Sequence, residues 1–159
     1  MTKFSPEEQK IKDEADNWAK ANKKRIAKEV LAAGQNDFDF VDSHIAVFMS
    51  GSPAAGKTEV AQELAAVVTK DSVDPIIRLD PDEYREMVPN YMGSKSYLYQ
   101  GASSQILNKC FDVVTKAKQT FIFDSTLSDL DKARSNIQRC LNKEYDIRIL
   151  YVYQDAMTA

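Results

Sequence analysis

The chain has 159 residues, 43% hydrophobic and 28% charged, with five glycines and five prolines, a balance that excludes collagen-like, disordered and low-complexity classes. At this length a single domain is expected, able to bury about 68 to 70% of the surface its unfolded form exposes and to hold a core without disulfides or metal. With 21 Lys and Arg against 24 Asp and Glu the net charge is −3, which argues against a nucleic-acid partner, and no apolar run approaches the roughly 20 residues of a membrane span.

The first residues, Met1 to Glu8, have no apolar signal-peptide core, so a cytoplasmic protein is expected. Ser5-Pro6-Glu7-Glu8 combines an N-cap, a proline at the first helical position and a glutamate at the third, which marks a helix start. The predicted helix covers residues 7–33, with Ile11, Ala15, Trp18, Ile26, Val30 and Ala33 forming its apolar stripe until Gly34 ends the pattern. Residues 34–43 read as a polar linker, and residues 44–155 as a nucleotide-binding core within the same domain.

His44 to Met49 is a short, nearly continuous apolar run, as in a strand buried on both faces of a parallel sheet. His44 itself, the only histidine, reads as structural or surface. After the strand come a glycine loop and a helix carrying Ala61, Leu64, Ala65 and Val68. A second strand, Pro75 to Leu79, leads into Asp80-Pro81-Asp82-Glu83. A helix with Ile106, Cys110, Val113, Val114 and Ala117 feeds a third strand, Thr120 to Phe123, ending at Asp124. Another helix, with Leu130, Ala133, Ile137 and Leu141, precedes a fourth strand, Ile147 to Tyr153. This alternation predicts a three-layer α/β fold with a parallel sheet of about four strands and right-handed crossovers, of the P-loop kinase kind, preceded by the N-terminal helix. Cys110 and Cys140 stand far apart and in no C-x-x-C, and read as buried free thiols.

The glycine loop carries the first chemistry. Gly51-Ser52-Pro53-Ala54-Ala55-Gly56-Lys57-Thr58 matches the phosphate-binding pattern, in which backbone N–H groups turn inward around phosphate oxygens and the following helix N-terminus adds positive potential. Lys57 would reach the outer phosphates of ATP, and the Thr58 hydroxyl would ligate magnesium. In a doubly wound sheet the carboxyl ends of the strands face the ligand crevice, so the acids ending the second and third strands join this site. Asp80 reads mainly as an N-cap, with Glu83 as its capping-box partner. Asp82 has no such task and suits a base that accepts a proton from an attacking hydroxyl. Asp124 ends Phe121-Ile122-Phe123 as the acid that holds magnesium or its water, and Thr126 follows two residues later; Ser128 with Asp131 reads as the next helix's capping box. Tyr91, Tyr97 and Tyr99, with Gly93, Ser94, Ser96 and Gly101, form either a sugar- or base-contacting loop or an ordinary packed one.

Taken together, Phe48-Met49-Ser50-Gly51-Ser52-Pro53-Ala54-Ala55-Gly56-Lys57-Thr58-Glu59, Leu79-Asp80-Pro81-Asp82, Phe123-Asp124-Ser125-Thr126 and Tyr151-Val152-Tyr153-Gln154-Asp155 resemble the zeta toxin family over residues 8–155. These are P-loop kinases that phosphorylate the sugar 3′-hydroxyl of UDP-N-acetylglucosamine. The resemblance implies that Lys57 and Thr58 take the ATP phosphates and magnesium, that Asp82 is the general base, that Asp124 and Thr126 help hold substrate or metal, and that an antitoxin protein is a partner. It departs from the family pattern at Ser128, where other members have an arginine. It also departs after Asp155, where members continue into a helical segment whose arginines reach the transferring phosphate. That second departure implies a chain that binds Mg-ATP better than it transfers phosphate. A kinase of another small hydroxyl compound and a nucleotide-binding module with little activity of its own remain as alternatives.

Overall fold

The computed structural model describes residues 4–34, 44–51, 56–68, 76–124, 127 and 129–153, with residues 58, 62 and 65–68 described by backbone alone. Of the expected linker only Gly34 lies among them. The elements are α1 (Pro6–Ala33), β1 (His44–Gly51), α2 (Lys57–Val68), β2 (Ile77–Leu79), α3 (Pro81–Glu86), a 3₁₀ segment (Gly93–Tyr99), α4 (Gln100–Lys116), β3 (Phe121–Asp124), α5 (Leu130–Leu141) and β4 (Tyr145–Val152). The four strands form one parallel sheet in the order β2-β3-β1-β4. The expected three-layer α/β architecture is therefore present, and β1 lies inside the sheet, flanked by β3 and β4.

Side-chain alternation on the strands divides the core in two. Ala46 and Phe48 of β1, Phe121 and Phe123 of β3 and Tyr145 of β4 face α1, α4 and α5, whereas Val47, Met49, Ile122 and Val152 face Ala61 of α2. The first half is aromatic: Phe111 of α4 meets Phe121 and Phe123 edge-on at 5.7 and 5.6 Å, and Phe121 meets Tyr145 at 5.6 Å. Edge-to-face pairs of this kind contribute beyond their buried area. His44, at the start of β1, sits half-buried with its ring 5.8 Å from that of Tyr145.

Helix α1 begins as the sequence predicts. The Ser5 hydroxyl accepts from the Glu8 N–H at 3.2 Å, and the Glu8 carboxylate accepts from the Ser5 N–H at 2.8 Å. The helix lies along α4, and its buried residues are mostly small: Ala15, Ala19, Ile26 and Ala27. Small side chains permit a close approach, and a Cβ on Gly101 of α4 would sit 2.5 Å from a carboxylate oxygen of Asp16. Ala33, expected on the apolar stripe, is exposed. The turn ends instead with Gly34 pressed against β2, where a Cβ would lie 2.0 Å from Ile77 Cγ1.

Two further expectations, both in α5, need correction. In α5, Leu130 and Leu141 are 59% and 50% exposed, because the helix packs through Ala133, Ile137 and Cys140. Its N-cap is Asp129, whose carboxylate accepts from the Lys132 N–H at 3.1 Å; Ser128 lies outside the described residues. The tyrosine-rich segment is taken up largely by packing. Tyr99 is buried, donates to the Asn90 carbonyl at 2.6 Å and meets Tyr91 edge-on, while Tyr97 donates to Glu8 and stacks on Phe4.

Cys110 and Cys140 are free and buried, and burial pushes both thiols up to about 11. Since the thiolate is the reactive form, both should resist a disulfide exchange reagent at neutral pH and react promptly once the chain is unfolded. Absorbance of the released reporter thiol checks this, and rapid labelling of the native protein would contradict the buried placement.

Candidate active site

Strand β1 ends at Gly51, which is buried and adopts φ +151° with the end of β4 against it: a Cβ there would lie 2.4 Å from the Val152 carbonyl oxygen. Glycine is needed at this point for clearance as well as for the backbone angle. Gly56, at φ +79°, turns the chain in the left-handed region and hands it to α2, whose first residue is Lys57. The Lys57 ammonium donates to the Gly51 carbonyl at 3.1 Å, so its charge spans the loop back to the strand that precedes it. Ser52, Pro53, Ala54 and Ala55 lie outside the described residues, as does the side chain of Thr58.

Gly51→Ala is expected to cost about 1 to 3 kcal/mol, the ordinary cost of overpacking, because the nearest obstacle is backbone that cannot rotate away. Thermal unfolding should then begin several degrees lower, and a parent-like melting curve would show that the end of β4 yields freely.

The acids come from the neighbouring strand ends. Asp124 closes β3 in register with Met49 of β1, and its residue is only 7% exposed. Asp80, after β2, caps α3: one carboxylate oxygen accepts from the Asp82 N–H at 2.8 Å, as an N-cap should. Glu83 does not close the expected capping box, accepting instead from Arg78 at 3.1 Å.

Arg78 organises this edge. One terminal nitrogen, Nη2, donates to Asp80 Oδ2 at 2.8 Å and to Asp124 Oδ2 at 2.6 Å, while Nη1 serves Glu83. Burial opposes the arginine's charge, yet the Asp124 hydrogen bond and the adjacent carboxylates hold its pKa above the ordinary value. Burial raises the pKa of Asp80, against the opposing pull of the Asp82 N–H and Arg78, and burial likewise raises that of Glu83. Sequence reasoning did not single out Arg78 from the chain's six arginines. The available signal was its position as the middle residue of β2 between buried Ile77 and Leu79, since a charge in a buried strand requires a partner. Other arginines have different surroundings: Arg25 pairs with Glu29 and Arg148 with Asp146, Arg139 pairs with Asp112 and lies over the Phe111 ring, and Arg134 is exposed on α5. Arg85 contacts Asp82 at 3.1 Å and Gln100 at 3.2 Å.

Asp82 thus stands in the first turn of α3 with its side chain 73% exposed, and its backbone, through Asp80 and Arg78, is tied to Asp124. This brings Asp80, Asp124, Arg78 and the Asp82 backbone into one hydrogen-bonded group at the carboxyl ends of β2 and β3. The β1–α2 loop begins two residues beyond Met49, Asp124's register partner. Thr126 lies outside the described residues. Among the described residues no cluster of three or more His, Cys, Asp or Glu side chains is arranged around a common metal position. The Asp124 carboxylate is a hard oxygen donor of the kind magnesium takes, one or two from protein with phosphate and water completing the octahedron. No helix among the described residues is long and apolar enough to cross a membrane.

Several solved structures share this fold, three of them as follows. One, from the PezAT chromosomal toxin–antitoxin system of Streptococcus pneumoniae, is 17% identical with a TM-score of 0.65 and is matched by 94% of this chain over 57% of its own length. A candidate kinase from Chloroflexus aurantiacus is 15% identical with a TM-score of 0.54, over 70% of this chain and 60% of that one. The AvrRxo1-ORF1:-ORF2 complex contributes a chain 18% identical with a TM-score of 0.54, over 94% of this chain and 46% of that one. The chain thus spans less than two thirds of each of these relatives. No curated protein matches its sequence significantly. The zeta toxin family pattern matches residues 29–159, which takes in the glycine loop, both strand-end acids and all four strands, and the chain belongs to the zeta toxin family.

Proposed function

We propose that the chain is the nucleotide-binding part of an ATP-dependent small-molecule kinase of the zeta toxin type, which transfers the ATP γ-phosphate to the sugar 3′-hydroxyl of UDP-N-acetylglucosamine. The observation that carries this reading is the convergence of three strand ends: the Gly51 to Lys57 loop after β1, the Asp80–Asp82 turn after β2 and Asp124 ending β3. The family match supports it as well.

In this reading Lys57 exchanges the Gly51 carbonyl for the outer phosphate oxygens. The backbone of Gly51, Ser52, Pro53, Ala54, Ala55 and Gly56 lines the phosphate chain beneath the α2 N-terminus. Thr58 and Asp124 hold magnesium, which when bound screens the negative charge of the phosphates. Asp82, exposed and mounted on a short helix, accepts the proton of the acceptor hydroxyl as its oxygen bonds to the γ-phosphorus and the bond to the β,γ-bridging oxygen breaks, leaving ADP. Asp124 and Thr126 help to orient the acceptor. A protein antitoxin is the proposed partner and the cytoplasm, where ATP is at hand, the proposed location.

The test is ADP release with magnesium, in the presence and absence of UDP-N-acetylglucosamine, with phosphorus NMR of the product. Release that depends on this acceptor and yields a sugar phosphate ester supports the reading. Release with a different hydroxyl compound replaces the substrate and keeps the kinase. Tight Mg-ATP binding without turnover on any acceptor favours a binding module.

A further inference from the structure

Asp82 and Asp124 lie on different elements and are separated by 41 intervening residues, and the kinase reading proposed above needs both at one reacting centre. The path between them is short. Asp124 Oδ2 accepts from Arg78 Nη2 at 2.6 Å, the same nitrogen donates to Asp80 Oδ2 at 2.8 Å, and Asp80 Oδ1 accepts from the backbone N–H of Asp82 at 2.8 Å. The side chains along this path are largely withdrawn from water, with 21, 13 and 9% of Arg78, Asp80 and Asp124 exposed. Water therefore competes poorly for these bonds, and charge-assisted hydrogen bonds to a planar guanidinium fix direction as well as distance.

We propose that Arg78 is a positioning residue that registers the base-bearing first turn of α3 against the acid at the end of β3, through Asp80. The inference rests on the kinase reading above for its functional meaning, but its geometry does not. A lysine could neutralise one of these carboxylates, but it has no planar fork to serve Asp80, Asp124 and Glu83 together. Asp80 has two oxygens and uses them differently, one on Arg78 and one on the helix N–H. Loosening the first contact frees its carboxylate to rotate, and the Asp82 turn loses its reference to β3. A misplacement of about 1 Å at a reacting group can cost on the order of 10²-fold in rate. The raised pKa of Arg78 fits a guanidinium held by several carboxylates.

The test uses Arg78→Lys, which avoids leaving the buried carboxylates without a cation. Its kcat is expected to fall on the order of 10-fold or more, with a smaller change in KM for ATP, whose phosphates the kinase reading assigns to the β1–α2 loop while Arg78 contacts the magnesium acid Asp124. Combined with Asp82→Asn, the same substitution should cost little further, since a group that acts through Asp82 has nothing left to position. A merely structural role would subtract the same factor in both backgrounds, and that additive result would overturn the proposal. Independently of turnover, NMR exchange of the Asp82 amide proton should quicken on the order of 10-fold in Arg78→Lys, with the amides of Ile106 and Val114 in α4 unchanged. Unaltered Asp82 exchange would also overturn it. Should Arg78→Lys fail to fold, Asp80→Asn addresses the same path. Its amide carbonyl still caps Asp82 while its NH₂ faces Arg78, donor against donor, and the same non-additivity with Asp82→Asn is expected. A parent chain without turnover on any acceptor would refute the kinase reading and leave amide exchange to decide the relay.

Discussion

Replacing Lys57 by alanine should weaken Mg-ATP binding on the order of 10- to 100-fold and lower phosphoryl transfer by at least about 10³-fold. The first figure follows from losing a charge-assisted hydrogen bond, worth about 1.5 to 3 kcal/mol. The second adds the loss of a cation aimed at charge that grows on the transferring group, an electrostatic contribution commonly on the order of 10²- to 10³-fold by itself. The fold should survive, because Lys57 is the first residue of α2 and its ammonium donates to the backbone carbonyl of Gly51 at the end of β1, outside the apolar core. Calorimetric titration with Mg-ATP and ADP release measure the two effects separately. Unchanged affinity and turnover would remove the β1–α2 loop from the mechanism.

Asp82→Asn separates binding from chemistry. Asparagine preserves the shape of the side chain and leaves the Asp82 backbone N–H free to donate to Asp80, so the first turn of α3 should form as before. What is lost is the proton acceptor, and general bases typically contribute on the order of 10²- to 10⁴-fold. Transfer should therefore fall at least about 10²-fold while Mg-ATP affinity stays near that of the parent. The contact with Arg85 goes too, but it is an i,i+3 pair with the Asp82 side chain 73% exposed, a class of ion pair that adds little to stability. If expression of the parent proves toxic to cells, this variant should relieve the toxicity. Turnover equal to the parent would shift the base to Asp80 or Asp124. Asp80 is the weaker of those two, since both of its oxygens are already engaged with Arg78 and the α3 cap.

Much of this arrangement was legible in the chain because it depends on local chemistry. The Ser5 and Glu8 box, the apolar runs of β1 and β3 and the N-cap at Asp80 each follow from residues within a few positions of one another, and each forms where its pattern lies. Periodicity was less reliable for α5, where Leu130 and Leu141 keep helical spacing but point away from the core. Spacing along a helix defines which residues share a face, whereas the width of the buried strip depends on how closely the sheet beneath approaches.

What the sequence by itself determined was the succession of strands and helices and the glycine turns at Gly51 and Gly56 between β1 and α2, since helical period, strand hydrophobicity and glycine conformations are set by neighbours in the chain. Only the tertiary structure decided the strand order β2-β3-β1-β4, the lodging of α1 on α4, and the contact of Gly51 with the end of β4. It also decided that Arg78, one arginine of several, would meet Asp124 across 46 positions of sequence. The physical reason is that all four join residues far apart in the chain. Parallel strands place distant residues side by side according to register, and once Arg78 and Asp124 are both withdrawn from water the cost of an unpaired charge makes their pairing favourable, a term that no local pattern carries.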